Sequence, residues 1–255
     1  MSRSTTAVLG GTFDRLHVGH RSLLRTAFAS ARNVAIGLTT DIYLASHAKP
    51  AGDRIQSYAT RRRVLLRWLR TEFPSARWKV VPLANGFGRS IEPGFDVLIV
   101  SGETLAGGQR VNAERKRRGL RPLRIVCAPT VQADDLRPVS SRRIRAGTID
   151  RNGRRLAPIR IRLNIPRGGS LSEWRAALRT VFPRGRFVRA AGGPSAFDLE
   201  VSVRRADRHR PPRITIRSPA LRRAPKPILS SAAPAEIVQR LWPVDRPESL
   251  SRPRR

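Results

Sequence analysis

Short apolar segments alternate with segments of helical spacing through the first 150 residues, and this alternation restricts the fold more than any other feature. The apolar segments are residues 5–10, 33–39, 77–82, 95–101 and 122–127, and the helical ones are 19–31, 56–72 and 107–117. The apolar segments lack polar alternation, which is typical of strands that are covered on both faces. The pattern therefore predicts an α/β fold, in which helices cover both sides of a five-stranded parallel sheet.

The last hundred residues have a different composition. Thirteen of the 20 prolines fall in residues 155–255. Apolar periodicity there predicts strands and a helix, which we interpret as a small accessory α+β region of residues 155–218 with no assigned role. The Pro-, Ala- and Arg-rich residues 219–255 predict a partly disordered tail. The first domain then spans residues 1–154.

The chain is strongly basic, since 51 Lys and Arg against 18 Asp and Glu leave a net charge of +33. The basic residues are spread over the whole chain, so we expect only non-specific affinity for nucleic acid. A single cysteine, Cys127, excludes a disulfide framework, and we expect it in the core. Four scattered histidines indicate no metal site. With no membrane span and no signal peptide we expect a cytoplasmic protein, and we favour a monomer although nothing in the sequence determines the oligomeric state.

The segment VLGGTFDRLHVGH carries the strongest chemical signal. Gly10 and Gly11 follow an apolar strand and allow the backbone to approach a phosphate closely. A helix that begins near Gly19 presents free N–H groups and the positive end of its dipole to an anion. His17 and His20 are three residues apart, so both can donate hydrogen bonds to phosphate oxygens from one side of the first turn. The segment therefore predicts a phosphate site at the end of the first strand.

This segment resembles the signature of the nucleotidylyltransferase superfamily with the H-x-G-H motif. Its form Gly-Gly-Thr-Phe-Asp-x-Leu-His-x-Gly-His is similar to that of phosphopantetheine adenylyltransferases of the archaeal and eukaryotic type. Further segments resemble that family in the same order, namely 37–50, 55–69, 100–104, 112–129 and 133–154. The resemblance covers residues 5–154 and implies a Rossmann-like sheet with ATP at the carboxyl ends of its strands.

The resemblance also implies a reaction, in which the adenylyl group of ATP passes to 4′-phosphopantetheine and gives dephospho-coenzyme A and pyrophosphate. The acceptor phosphate attacks the α-phosphorus in line without a covalent enzyme intermediate, so the protein supplies position and charge. Mg²⁺ would be held mainly by the substrate phosphates. The implied catalytic residues are His20, His17 and Lys49, and the acceptor-binding residues are Thr12 and Lys49. The implied ATP- and phosphate-binding residues are Gly11, Thr12, Phe13, His17, His20, Ser140, Ser141, Arg142 and Arg145.

Several of these residues also have a plain structural interpretation. By position alone Lys49 is equally well a solvated loop charge, and the matching loop of the family favours its catalytic role. Ser140 and Ser141 can simply cap a helix. Arg142 departs from the family, in which a threonine is usual at this position. Asp14 is expected to order the loop rather than to react.

Two other functions stay open at this point. Another cytidylyl- or adenylyltransferase of the superfamily would combine the same ATP machinery with a different phosphorylated acceptor. A nucleic-acid-binding protein could also have kept a nucleotidyltransferase scaffold. In the accessory region, residues 167–183 faintly resemble the opening of house-cleaning nucleoside triphosphatases. The polar Asn and Lys expected after Ser170 are absent, so we expect a packing helix there and assign it no activity.

Overall fold

The computed structural model describes residues 5–47, 55–166, 170–183, 185–189, 197–204, 213–218, 228–229 and 233–241. Its contacts divide the chain into two compact units. Unit 1 comprises Met1–Val131 and Val139–Arg145, and unit 2 comprises Gln132–Pro138 and Ala146–Arg255. The sequence-based boundaries after residues 154 and 218 stay predictions, because they concern which fragments fold alone.

Unit 1 has the α/β fold that the sequence predicts. Its strands are β1 (Thr6–Gly11), β2 (Asn33–Thr39), β3 (Arg77–Leu83), β4 (Val97–Val100) and β5 (Arg124–Cys127). Its helices are α1 (Val18–Ser30), α2 (Asp41–Ser46), α3 (Tyr58–Glu72), α4 (Leu105–Arg117) and α5 (Ser141–Arg145). All neighbouring strands pair in parallel, in the order β3-β2-β1-β4-β5. The predicted strands and long helices agree with these bounds, whereas α2 and α5 are too short for a periodic pattern to indicate them.

The burial of β1 explains why its sequence is apolar without alternation. Ala7 and Leu9 lie in the core formed with α1 and α3, whereas Val8 lies in the core formed with α4 on the opposite face. Both faces of the strand are therefore covered, as in other parallel sheets. Cys127, by contrast, is exposed, which corrects its expected place in the core. It is the last residue of β5, which is an edge strand and has a neighbouring strand on one side only.

Strand β1 also occupies the point where the strand order reverses. The chain runs from β1 to β2 and β3 on one side, and then continues with β4 and β5 on the other. In open α/β sheets, ligands bind at the carboxyl ends of the strands at such a point. The loop that follows Gly11 begins there.

Unit 2 contains a second, mixed sheet, which confirms the predicted α+β character of this region. Its strands are β6 (Arg160–Asn164), β7 (Arg186–Arg189), β8 (Leu199–Arg204), β9 (Arg213–Arg217) and β10 (Ile228–Leu229), and its helices are α6 (Leu171–Val181) and α7 (Pro234–Leu241). The strand order is β10-β9-β8-β6-β7, in which β6 pairs in parallel with β7 and β8, and the other pairs are antiparallel. Strand β10 and α7 fall within the predicted tail, of which residues 219–227, 230–232 and 242–255 lie outside the described residues.

Candidate active site

The loop after β1 has an unusual backbone conformation. Phe13 and Arg15 have φ angles of 49° and 51°, in the left-handed region that residues other than glycine rarely adopt. The side chain of Phe13 is only 1% exposed and belongs to the core with α1 and α3. The predicted contact of Phe13 with a nucleotide is therefore restricted to its backbone. Strained conformations of this kind persist where the surrounding packing enforces them, and they cluster at functional sites.

Asp14 ties this loop to two distant segments. Its carboxylate accepts a hydrogen bond from the backbone N–H of Gln56 at 3.0 Å and one from Arg145 Nη1 at 2.5 Å. The Ser141 hydroxyl donates to the backbone carbonyl of Asp14 at 2.8 Å. The carboxylate is 1% exposed, and a buried charge is tolerated only when it is paired in this way. The structure thus gives Asp14 the loop-ordering role that the sequence predicts.

A buried arginine on α3 holds the other side of the same loop. Arg61 donates from Nη1 to the carbonyl oxygens of Thr12 at 2.9 Å and Thr39 at 2.8 Å. It also donates from Nε to the Gln56 carbonyl at 2.7 Å and from Nη2 to Asp41 at 2.6 Å. The guanidinium therefore joins the ends of β1 and β2 to the start of α3. Sequence reasoning missed Arg61, although its place on the inner face of α3 is a signal that a charge there is buried.

His17 caps the first helix and has a defined tautomer. It is the N-cap residue of α1, and its Nδ1 atom accepts hydrogen bonds from the N–H groups of Gly19 at 3.1 Å and His20 at 3.4 Å. Because Nδ1 is the acceptor, the neutral ring carries its proton on Nε2 and can donate from there. These bonds also correct a detail of the prediction, since two N–H groups expected to be free for an anion are capped by His17.

The two imidazoles of the motif lie against each other. The ring centroids of His17 and His20 are 3.8 Å apart with 22° between the planes, and the Phe13 ring lies 5.2 Å from that of His20. The Nδ1 atom of His20 is buried and makes no hydrogen bond within the described part of the chain. A buried polar atom without a partner is costly, and a ligand that bonds to it is one way in which this cost is removed.

Burial keeps both imidazoles neutral near pH 7. It lowers the pKa of His17 to about 4, with an opposing effect of the Asp14 carboxylate and a small further lowering by Arg21. Burial also lowers the pKa of His20 well below its ordinary value, and the neighbouring His17 acts in the same direction. Both rings therefore carry no positive charge near pH 7, and each can offer an N–H group to a ligand.

The second predicted motif converges on the first. A side chain on Gly19 would come within 3.6 Å of the Val139 carbonyl oxygen, so the start of α1 lies beside the segment that leads into α5. The Ser140 carbonyl accepts the N–H of Ile144 and begins the turn of α5. Arg142 is exposed, whereas Arg145 is directed to Asp14 as described above. The structure thus brings the two motifs together, with Arg145 and the Ser141 hydroxyl already bound to the loop.

Close packing explains why residues 10 and 11 are glycines, and the sequence did not indicate this reason. A Cβ atom on Gly10 would lie 3.0 Å from the Leu83 side chain, and one on Gly11 would lie 3.2 Å from the Phe13 ring. Cβ atoms in proteins rarely lie this close to another heavy atom. The absence of side chains is thus explained by the fold, and it leaves the backbone beside the histidines open to a ligand.

A family model described as cytidylyltransferase-like matches residues 8–147, which is more than half of the chain. The chain belongs to the cytidylyltransferase-like family. The phosphopantetheine adenylyltransferase of Thermococcus kodakarensis is 41% identical over 150 residues, which are 58% of this chain and 89% of the relative. That of Pyrococcus horikoshii is 36% identical over 159 residues, which are 62% of this chain and 99% of the relative. These similarities confirm the resemblance that the motifs indicate.

A bifunctional phosphopantetheine adenylyltransferase/NTP phosphatase of Thermoplasma acidophilum is 38% identical over 155 residues, which are 60% of this chain. The chain spans 46% of the length of that relative. The similarity therefore leaves more than half of the bifunctional protein without a counterpart in the matched residues.

The cytidylyltransferase-like unit also contains a cavity of about 300 Å³ that sequence reasoning missed. It lies at the carboxyl ends of β1 to β4, on the face that α4 covers, and most of its walls are apolar. Gly10 and Leu83 line it from the sheet, Gly107 lines it from α4, and Arg89 and Arg110 add two charged groups. Its residues come from five segments of the chain, so no local pattern could have indicated it.

Two expectations for the cytidylyltransferase-like unit concern residues or ions that the structure does not place. Lys49 lies outside the described residues, so its catalytic role stays a prediction. Among the described residues, no group of three or more His, Cys, Asp and Glu is arranged to hold a metal ion.

Within the same part of the chain, no helix is both long and apolar enough to cross a membrane.

Proposed function

We propose that this chain transfers the adenylyl group of ATP to 4′-phosphopantetheine and releases pyrophosphate. One observation carries the proposal, namely the stacked neutral imidazoles of His17 and His20 at the start of α1, beside the segment that leads into α5. This pair lies where the strand order reverses, which is the usual ligand position in such sheets. The archaeal relatives that this chain covers almost completely are named for the same activity.

At the nucleotide end, the proposed role of His20 is to donate a hydrogen bond to the charge that develops on the α-phosphate. A neutral donor in a water-poor site is well suited to this, because it stabilises the transition state without prior protonation. His17 would donate from Nε2 to a neighbouring phosphate, since Nδ1 is occupied by the cap. The exposed Arg142 and the N–H groups of Gly11 and Thr12 would hold the remaining oxygens.

Mg²⁺ fits this proposal as an ion that arrives with ATP. The described residues offer no cluster of carboxylates, and Mg²⁺ at nucleotide sites binds largely through substrate phosphates and water. When bound, the ion neutralises part of the charge on the triphosphate. We also expect the reaction in the cytoplasm.

At the acceptor end, the cavity beside Gly10 is the place we propose for the pantetheine arm. It opens at the same strand ends as the histidines, and its apolar walls suit a chain of methylene, methyl and amide groups. Thr12 and Lys49 would then hold the acceptor phosphate in line with the α-phosphorus of ATP. In-line attack needs this alignment more than it needs a protein nucleophile.

The experiment that tests the reaction measures pyrophosphate release with ATP and 4′-phosphopantetheine, with the product identified by mass. We expect dephospho-coenzyme A and stoichiometric pyrophosphate. CTP as the donor, and other phosphorylated alcohols as acceptors, test the alternative that a related transfer is the true reaction. Release that needs another phosphorylated alcohol instead of 4′-phosphopantetheine would overturn the proposed acceptor, and release that needs CTP instead of ATP would overturn the proposed donor. Both results would keep the reaction type.

A second experiment tests the proposed acceptor cavity through Gly107. A Cβ atom there would meet only the end of Arg110 at 3.8 Å, so a larger side chain fits the helix and extends into the cavity. We expect Gly107→Leu to raise KM for 4′-phosphopantetheine at least about tenfold, as is common when a pocket is filled. KM for ATP should not change. Ala106→Leu, an exposed position on the same helix, is the control.

A further inference from the structure

Three buried side-chain nitrogen atoms of unit 1 make no hydrogen bond within the described part of the chain. They are Nε of Arg15, Nδ1 of His20 and Nε of Arg21, and they all fall within residues 15–21, in the loop and the first helical turn that carry the histidines. Native proteins leave few buried polar atoms without a partner, so each such atom requires an explanation. Because the two arginine atoms can only donate hydrogen bonds, a ligand that satisfies them has to supply acceptor oxygens.

Helical geometry places Arg21 beside the histidines. It is the fourth residue of α1, and its backbone N–H donates to the carbonyl oxygen of His17 at 3.0 Å. Residues that are four positions apart share one side of a helix, so the side chains of His17 and Arg21 are neighbours. The guanidinium is also close enough to lower the pKa of the His17 imidazole. Arg21 therefore belongs to the same side of the helix start as the stacked rings.

Arg21 brings a positive charge that the surrounding protein does not neutralise. The side chain is half-buried, and it forms no ion pair in the part of the chain that the structure describes. Asp14, the acidic residue of the adjoining loop, is already bound by Arg145 and by the backbone N–H of Gln56. The two imidazoles are neutral near pH 7, so they supply no positive charge themselves. Arg21 is therefore a source of positive charge next to them.

The position of this charge is unfavourable for the protein without a ligand. The start of an α-helix carries the positive end of the helix dipole, where acidic side chains stabilise the helix and basic ones do not. Helix α1 has no acidic residue in its first turn, and it has Arg21 one residue after His20. An anion bound at the same helix end interacts favourably with both the dipole and the guanidinium. The arrangement is thus one that a bound phosphate stabilises.

We propose that Arg21 is a phosphate-binding residue, and that its guanidinium holds the part of ATP that leaves as pyrophosphate. This inference rests on the proposed adenylyl transfer and adds a residue to it. His17 and His20 offer neutral N–H groups, whereas a leaving pyrophosphate also requires positive charge, which the guanidinium supplies through charge-assisted hydrogen bonds. The acceptor phosphate has the same chemistry. We favour ATP because Arg21 lies beside His17, whose proposed partner is a phosphate of ATP.

The test measures the binding of inorganic pyrophosphate to the full chain by titration calorimetry, with Mg²⁺ present and both substrates absent. Arg21→Gln removes the charge and keeps a polar side chain. We expect its dissociation constant to rise at least about tenfold, because a hydrogen bond between charged groups is lost. Arg21→Lys keeps the charge without the planar fork, so its dissociation constant should lie between those of the unaltered chain and Arg21→Gln. A lysine variant as weak as the glutamine variant would contradict the role of charge.

Binding of each ligand alone distinguishes the two sources of phosphate and the two proposals. Arg21→Gln should weaken the binding of ATP and leave the binding of 4′-phosphopantetheine nearly unchanged. A loss confined to 4′-phosphopantetheine would overturn the assignment to ATP. Pyrophosphate and ATP that bind equally to the unaltered chain and to Arg21→Gln would overturn the role of Arg21 alone. An unaltered chain that binds neither of them would overturn this inference together with the proposed function.

Two further measurements separate binding from fold stability and from net charge. Without ligand, Arg21→Gln should leave the midpoint of urea unfolding unchanged or raise it, because the charge lies near the positive helix end. A lower midpoint with unchanged pyrophosphate binding would make Arg21 structural instead. The matched control Arg32→Gln removes one exposed charge just after α1, and it should change the affinity for pyrophosphate less than about twofold. Equal losses in Arg32→Gln and Arg21→Gln would show that only net charge acts, and would overturn the proposal.

Discussion

Arginine has opposite surroundings in the two units. In unit 1, Arg61 is buried and Arg145 is half-buried, and each is matched to oxygen atoms of the loop that carries the histidines. In unit 2, Arg204 and Arg213 are exposed and lie directly opposite each other on the neighbouring strands β8 and β9. A chain with 51 Lys and Arg contains both kinds, and composition does not separate them. The position of each arginine in the hydrophobic pattern does separate them. Arg61 lies on the buried face of its helix, whereas Arg204 lies on the exposed face of its strand.

The largest effect that we expect concerns the site that Arg61 and Arg145 support. His20→Ala removes the donor that we place on the α-phosphate, and turnover should fall at least about a hundredfold, as for the loss of other transition-state donors. The chain should remain folded, since His20→Ala removes ring contacts with His17 and Phe13 but no hydrogen bond of Nδ1 in the described chain. Steady-state kinetics with both substrates measures the loss. A rate close to that of the unaltered chain would contradict the role of His20.

Replacement of Arg61 tests whether the inner arginine is a structural necessity. Arg61→Met keeps much of the volume but leaves the carbonyls of Thr12, Thr39 and Gln56 without this donor. We expect the free energy of unfolding in urea to fall by about 4 kcal/mol, because each buried acceptor without a partner costs roughly 1–3 kcal/mol. The exposed Arg62→Met on the same helix is the control and should change it by less than about 0.5 kcal/mol. Equal effects would mean that the network around Arg61 does not stabilise the loop.

The buried imidazoles make the stability of unit 1 depend on pH. The pKa of His17 is about 4 in the folded chain against 6.5 for the ordinary group, so the unfolded chain binds more protons between these values. The stabilisation is complete above about pH 6.5 and falls as the pH drops towards 4, with a total of about 3 kcal/mol. Urea unfolding over this range measures the slope.

A cap-preserving variant identifies the group responsible for that slope. His17→Asn keeps a side-chain oxygen that can accept the two N–H groups of the first turn, and it cannot be protonated in this range. We expect a flatter dependence of the unfolding free energy on pH. His47→Asn, at an exposed position after α2, should keep the original slope. The reverse result would assign the pH dependence to another group.

Much of unit 1 was predictable because its signals are local. The apolar runs of β1 to β4 and the close spacing of His17 and His20 are properties of neighbouring residues, and they lead directly to the sheet and to the start of α1. The contact between Asp14 and Arg145 joins residues 131 positions apart, and no periodic pattern reports such a pair. The burial of the Phe13 ring was missed for a related reason, since it follows from a left-handed backbone at that residue. The family resemblance predicted which residues act in the site, but not which of them bind each other.

The smallest effect that we expect tests the opposed arginines of unit 2. Arg213→Gln removes the like charge opposite Arg204 and should raise the free energy of unfolding by about 0.3 kcal/mol at low salt, within the range of cross-strand charge pairs. Arg217→Gln is the matched control, because Arg217 is opposite Glu200 and its loss should lower the free energy by a similar amount. Both changes should disappear near 1 M salt, where the screening length is only about 3 Å. If Arg213→Gln instead destabilises the fold, Arg213 is bound to a partner within the protein, and the contrast with Arg61 and Arg145 of unit 1 is lost.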